Sequence, residues 1–127
     1  MTRILLIGLA GALGTLTRYG VGVFAGRAFG TSFPFGTLIV NLAGCFLIAA
    51  ITYIATSTDL ISPTLRLTLT TGFMGGLTTY SSFNLETTQL LQNRGWYAAS
   101  VNFGSTVGGC FVTGLIGFAL ARRVFGP

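Results

Sequence analysis

This chain runs unusually far without a charge. Residues 36–56, 67–85 and 96–121 contain no Asp, Glu, Lys, Arg or His, and residues 4–25 contain only Arg18. A membrane-spanning helix needs about 20 mainly apolar residues, so each of the four windows is long enough for one crossing. Charged residues make up 7% of the 127 residues, whereas soluble domains carry about 25%. So few charged side chains cannot clothe a soluble fold of this size. The sequence therefore predicts an all-α, multi-pass membrane protein of four transmembrane helices, a single domain over residues 1–127 surrounded by lipid. Pro34 and Pro63 fall in the links, where proline belongs.

The charge that is present excludes several function classes. All seven basic residues are Arg, the net charge is +5, and Arg122–Arg123 is the largest basic cluster. Loop arginines at lipid headgroups account for this balance, and nucleic acid is not an expected partner. With no His, no Lys and only Asp59 and Glu86 as acids, no acid–base pair or metal cluster is evident, so an enzyme is not expected. Cys45 and Cys110 lie in apolar windows and read as small buried residues, not a disulfide. The first apolar run has no clear cleavage site before Arg18 and reads as a retained helix.

Four crossings would place Arg3, Arg66, Arg122 and Arg123 on one side and Arg27 and Arg94 on the other. An asymmetry this weak permits insertion both ways, and with it an antiparallel dual-topology homodimer. A four-helix bundle leaves little room for an aqueous path, so transport is expected at an interface between chains. Gly8/Ala12 and Gly104/Gly108 have the small-xxx-small spacing of close helix contacts, and Ala43/Gly44 adds a small patch.

Polar residues within a membrane default to functional hypotheses. Thr37, Asn41 and Cys45 recur every four residues and share one face of the second helix. Asn102, Thr106 and Cys110 do the same on the fourth, and Thr113 stays on that face. These stripes read as a polar pathway, with hydrogen bonding between helices as the plainer alternative. Arg18 could bind an anion or tie helix ends together, and the structural role is favoured because a fixed charge would trap an anion. Glu86 marks a pore mouth or the membrane surface.

"GGLTTYSSF", Gly75–Phe83, is the most unusual stretch. Adjacent Gly75 and Gly76 predict an unwound break over Gly75–Thr79, tolerated at membrane depth only inside protein or beside water. A break frees carbonyl oxygens that can hold a hard cation and opens a half-helix with a positive N-terminus. Tyr80 and Phe83 share a face, and aromatic rings have positive edges. A kink with core aromatics is the alternative reading.

At these residues the chain resembles the Fluc (CrcB) fluoride channels. "GALGTLTRY" with Arg18, "GTLIVNLAG" with Asn41 and "GGLTTYSSF" carry the resemblance, the last close to the family pattern GGxTTFSTF. The resemblance implies a fluoride-selective channel that lets cytoplasmic fluoride leave across the bacterial inner membrane and so lowers fluoride toxicity. It implies a dual-topology homodimer with two fluoride pathways and a structural sodium ion at the dimer centre. Backbone carbonyls of Gly75 and Thr78 would hold that ion. With no carboxylate nearby, a monovalent ion fits better than a divalent one. Asn41 and the rings at positions 80 and 83 would line each pathway, with Thr79, Ser81 and Ser82 as neighbouring hydroxyls and Asn102, Thr106, Cys110 and Thr113 as the fourth-helix track. Tyr80 departs from the pattern's Phe, and Ser82 stands where the pattern has Thr. A small multidrug exporter would need a carboxylate in the first helix, where only Arg18 stands. A non-transporting scaffold would explain the glycines but not two polar stripes beside a break.

Overall fold

A computed structural model describes residues 1–126 as an all-helical chain. The first helix, α1 (Thr2–Phe29), ends at Gly30, whose φ of 80° is left-handed and open to glycine at little cost. The next, α2 (Phe35–Ser57), follows Pro34. Then α3 (Pro63–Leu67) starts on Ser62, whose hydroxyl accepts from the Leu65 N–H at 3.2 Å, with Pro63 in the first turn. It passes through a π-helical stretch, Thr68–Met74, into the short α4 (Gly75–Leu77). The last helix, α5, runs Tyr80–Phe125.

Three helical stretches are long and apolar enough to cross a membrane: Thr2–Phe29, Phe35–Ser57 and Pro63–Phe125. This corrects the expected count of four separate helices, because the third and fourth windows join into one long, bent run. The bend is at Gly95, with φ 83° and ψ −177°. Residues 83 and 103 would stand about 30 Å apart in a straight helix, yet their rings lie 6.0 Å apart. Asn102 likewise reaches Thr87 at 2.8 Å. The limb from 96 onwards therefore folds back along the limb that ends at 94. Exposed Trp96 and Tyr97 flank the turn, as aromatic residues do at membrane–water boundaries.

Glycine sets the packing. A Cβ at Gly14 would meet the Phe73 carbonyl, one at Gly76 the Gly11 carbonyl, and one at Gly117 the Phe46 carbonyl. Close backbone approach of this kind is what small residues supply in membranes, where helices gain nothing from leaving lipid. The core at this junction is Val40, Met74 and Leu77. By contrast, a Cβ at Gly8, Gly104 or Gly108 would meet nothing within 4 Å among the described residues. The expected small-residue pairs are thus outward-facing, and other glycines make the contacts between the helices.

The charged ends separate as the sequence predicts. Arg3 donates to Thr64 at 3.0 Å, which joins the starts of α1 and α3. Tyr53 meets Phe118 edge-on at 5.0 Å, which brings the end of α2 to the end of α5. Arg94 lies at the other end and lines a cavity with Gly26 and Gly30.

Candidate polar pathway

The centre of the site is the break, and it is shorter than the glycines predict. Gly75 is helical, with φ −61° and ψ −35°, and Gly75–Leu77 form α4. Only Thr78 (φ −84°, ψ 155°) and Thr79 (φ −153°, ψ 122°) are extended. The expected break over Gly75–Thr79 is therefore corrected to Thr78–Thr79. Gly76 serves the close approach of α1, not an unwound backbone, and Gly75 is exposed.

Side chains hold this break open. Asn41 is 7% exposed and grips the Thr79 backbone twice. The Thr79 N–H donates to Asn41 Oδ1 at 2.8 Å, and Asn41 Nδ2 donates to the Thr79 carbonyl at 3.0 Å. The side-chain amide thus pairs with an extended residue as a neighbouring strand would. Thr79 then caps α5: its Oγ1 accepts the Ser82 N–H at 3.2 Å. The Thr79 hydroxyl also donates to Ser82 Oγ at 3.2 Å and lies 3.2 Å from the exposed Ser81 Oγ. In an unbroken helix the Thr79 N–H would serve the Gly75 carbonyl and the Ser82 N–H the Thr78 carbonyl. Both donors are engaged elsewhere, so both carbonyls lose their helical partners. Thr78 turns its side chain inward: its hydroxyl donates to the Met74 carbonyl at 2.9 Å and its methyl sits on Gly44.

The aromatic pair divides by burial. Phe83 is 4% exposed and Tyr80 76% exposed. Their centroids are 5.7 Å apart with planes at 63°, an edge contact. A relay pins Phe83: Asn102 Nδ2 donates to Thr87 Oγ1 at 2.8 Å, and Thr87 donates to the Phe83 carbonyl at 2.7 Å. Thr87 was missed by the sequence reading, although its four-residue spacing from Phe83 signals a shared face. Thr106, one turn below Asn102, is 6% exposed and its hydroxyl has no hydrogen-bond partner among the described residues. Thr113 donates to the Leu42 carbonyl at 3.1 Å and the Cys110 carbonyl at 3.2 Å, so it ties the second limb of α5 to α2. The Cys110 thiol faces that of Cys45, and both are free.

At one end Thr37 donates to Glu86 Oε1 at 2.7 Å, while Oε2 is buried with no hydrogen-bond partner among the described residues. Both line a cavity of about 490 Å³ together with Gln89 and Arg94. Thr37 and Asn41 are one turn apart on α2, so the line continues from this mouth to the break. Arg18 is half-buried on α1, one turn beyond the tightly packed Gly14. The site residues expected from α2 and the break therefore come together, and Phe83 carries the line on to Asn102.

The profile of the CrcB-like protein family (Camphor Resistance, CrcB) matches residues 5–118. The chain belongs to the CrcB family. It is 51% identical over 124 residues to the fluoride-specific ion channel FluC of Sorangium cellulosum, with 98% of each chain covered. The FluC of Citrifermentans bemidjiense is 46% identical over 98% of this chain and all of its own. That of Clostridium perfringens is 42% identical over 95% of this chain and 94% of its own. The CrcB match spans α1, α2, the break and most of both limbs of α5, so every residue of the polar line falls within it.

Proposed function

We propose that this chain is the subunit of a fluoride-selective channel that releases fluoride from the bacterial cytoplasm across the inner membrane. The observation that carries the reading is the polar line Thr37–Glu86, Asn41–Thr79 and Asn102–Thr87–Phe83, buried at Asn41, Thr79, Phe83 and Asn102, which runs through segments otherwise suited to lipid. Relatives matching nearly the whole chain and named for fluoride conduction support it. Fluoride is small and strongly hydrated, so a path must replace lost water with donors of modest total affinity. Hydroxyls, an amide and ring edges do this without the trap that a fixed cation would set. The second Asn41 amide hydrogen and the Thr106 hydroxyl are donors of this kind.

In this reading each chain crosses the membrane four times, because the two limbs of α5 lie side by side. Two chains in opposite orientation form the conducting unit. Outward-facing Gly8 and the exposed Tyr80 ring support contact with a second copy, since a pathway ring left 76% exposed is an incomplete wall. The carbonyls of Gly75 and Thr78, deprived of their helical donors, fit a monovalent cation, and sodium is the ion we assign. Such an ion supplies structural cohesion and a positive field.

The deciding experiment is anion efflux from liposomes that contain the purified protein. Fluoride should leave rapidly while chloride is retained. Equal rates for the two anions, or no flux above empty liposomes, would remove the reading.

A further inference from the structure

The last turn of α5 carries a recess that the anion line does not use. It measures about 400 Å³ and is lined by Phe118, Ala119, Arg122, Arg123 and Gly126. We propose that this recess binds the headgroup of an anionic phospholipid. Its lining is two stacked columns: Arg122 stands one turn above Phe118, and Arg123 one turn above Ala119. One helical turn is about 5.4 Å, so the recess is cationic at its rim and apolar one turn deeper. The apolar side continues along the same helix through Leu115 and Phe111, which are 55% and 68% exposed. That run suits an acyl chain, and it favours a lipid over free phosphate.

Among the described residues, no side-chain carboxylate lines the rim. The chain's side-chain carboxylates are elsewhere: Asp59 lines a cavity with Arg66, and Glu86 lines the mouth at the other end. Guanidinium groups match phosphate oxygens bidentately and are weakly hydrated. The edge contact of Tyr53 with Phe118 fixes the apolar wall. The opposite cavity has Arg94 but also Glu86, so it should not show the same preference.

The test is native mass spectrometry of the purified protein titrated with dioleoyl phosphatidylglycerol or dioleoyl phosphatidylcholine. The wild-type chain should retain phosphatidylglycerol preferentially. Each basic residue near an anionic lipid surface contributes about fivefold, so R122Q/R123Q should lose about twenty-fivefold. Ala119→Phe keeps both charges but fills the lower recess, and it should weaken retention as well. Excess inorganic phosphate should not displace the lipid. R27Q/R94Q should keep the preference. Equal retention of the two lipids by the wild type overturns the proposal whatever the variants do. So does an undiminished preference in both the R122Q/R123Q and Ala119→Phe proteins, or displacement by phosphate alone.

Discussion

Asn41 and Tyr80 set two different problems at the scale of single residues. Asn41 satisfies both backbone groups of Thr79, so removing it leaves a buried N–H and a buried carbonyl unpaired. Each such loss costs about 1–3 kcal/mol, and Asn41→Ala should lower stability as well as fluoride flux. Asn41→Asp is the sharper test. One oxygen can still accept from the Thr79 N–H, but the other opposes the Thr79 carbonyl and would repel an anion. We expect it to lose more flux than Asn41→Ala in liposome efflux, and equal or greater flux would contradict the donor role. Tyr80 is a milder case, because its ring is exposed and meets Phe83 edge-on. Tyr80→Phe should leave thermal stability within about 0.5 kcal/mol, as surface changes usually do, and should raise fluoride throughput. Identical conduction in the two proteins would place the hydroxyl outside the path.

At the scale of elements, the break depends on threonines more than on glycines. Thr79 caps α5 and is held from the side by Asn41, whereas Gly75 and Gly76 are helical. The two glycines should therefore answer differently to a methyl group. At Gly76 a Cβ overlaps the Gly11 carbonyl, while at Gly75 the nearest atom is the Thr70 carbonyl at 3.9 Å. Gly76→Ala should cost about 1–3 kcal/mol through overpacking. Gly75→Ala should leave the fold of one chain intact. Dodecyl sulfate titration followed by circular dichroism distinguishes them, and equal losses would mean that Gly75 also lies in a tight contact. This pair shows where the sequence was legible and where it was not. Long apolar windows fix α1 and α2 to within a few residues, because lipid permits few alternatives to a continuous helix. "GGLTT" signals an interruption, but a glycine looks the same whether it serves backbone freedom or a neighbour's approach. The neighbour, Gly11, is far off in sequence. The window beginning at Trp96 reads as a separate helix for a similar reason, since nothing in "QNRG" announces that one left-handed glycine, Gly95, is enough to turn the run back on itself. Asn41 and Asn102 were legible as polar residues in apolar surroundings, but their partners Thr79 and Thr87 follow only from how the helices pack.

For the whole molecule, the four arginines at one end and two at the other give a weak preference for either orientation, and the turn at Gly95 offers a direct way to see the outcome. That turn carries Trp96, the chain's only tryptophan, 77% exposed and at the end opposite Arg122 and Arg123. Intrinsic fluorescence of the protein is therefore light from one site at one end. In sealed vesicles, a water-soluble quencher that cannot cross the bilayer reaches only the indoles on its own side. If both orientations are populated equally, the Stern–Volmer plot should level off with about half of the emission still protected, and opening the vesicles with detergent should release the remainder. Complete quenching, or none, from outside would assign a single orientation. The bend that joins the two limbs of α5 thus makes the molecule its own optical marker of sidedness, with no label attached.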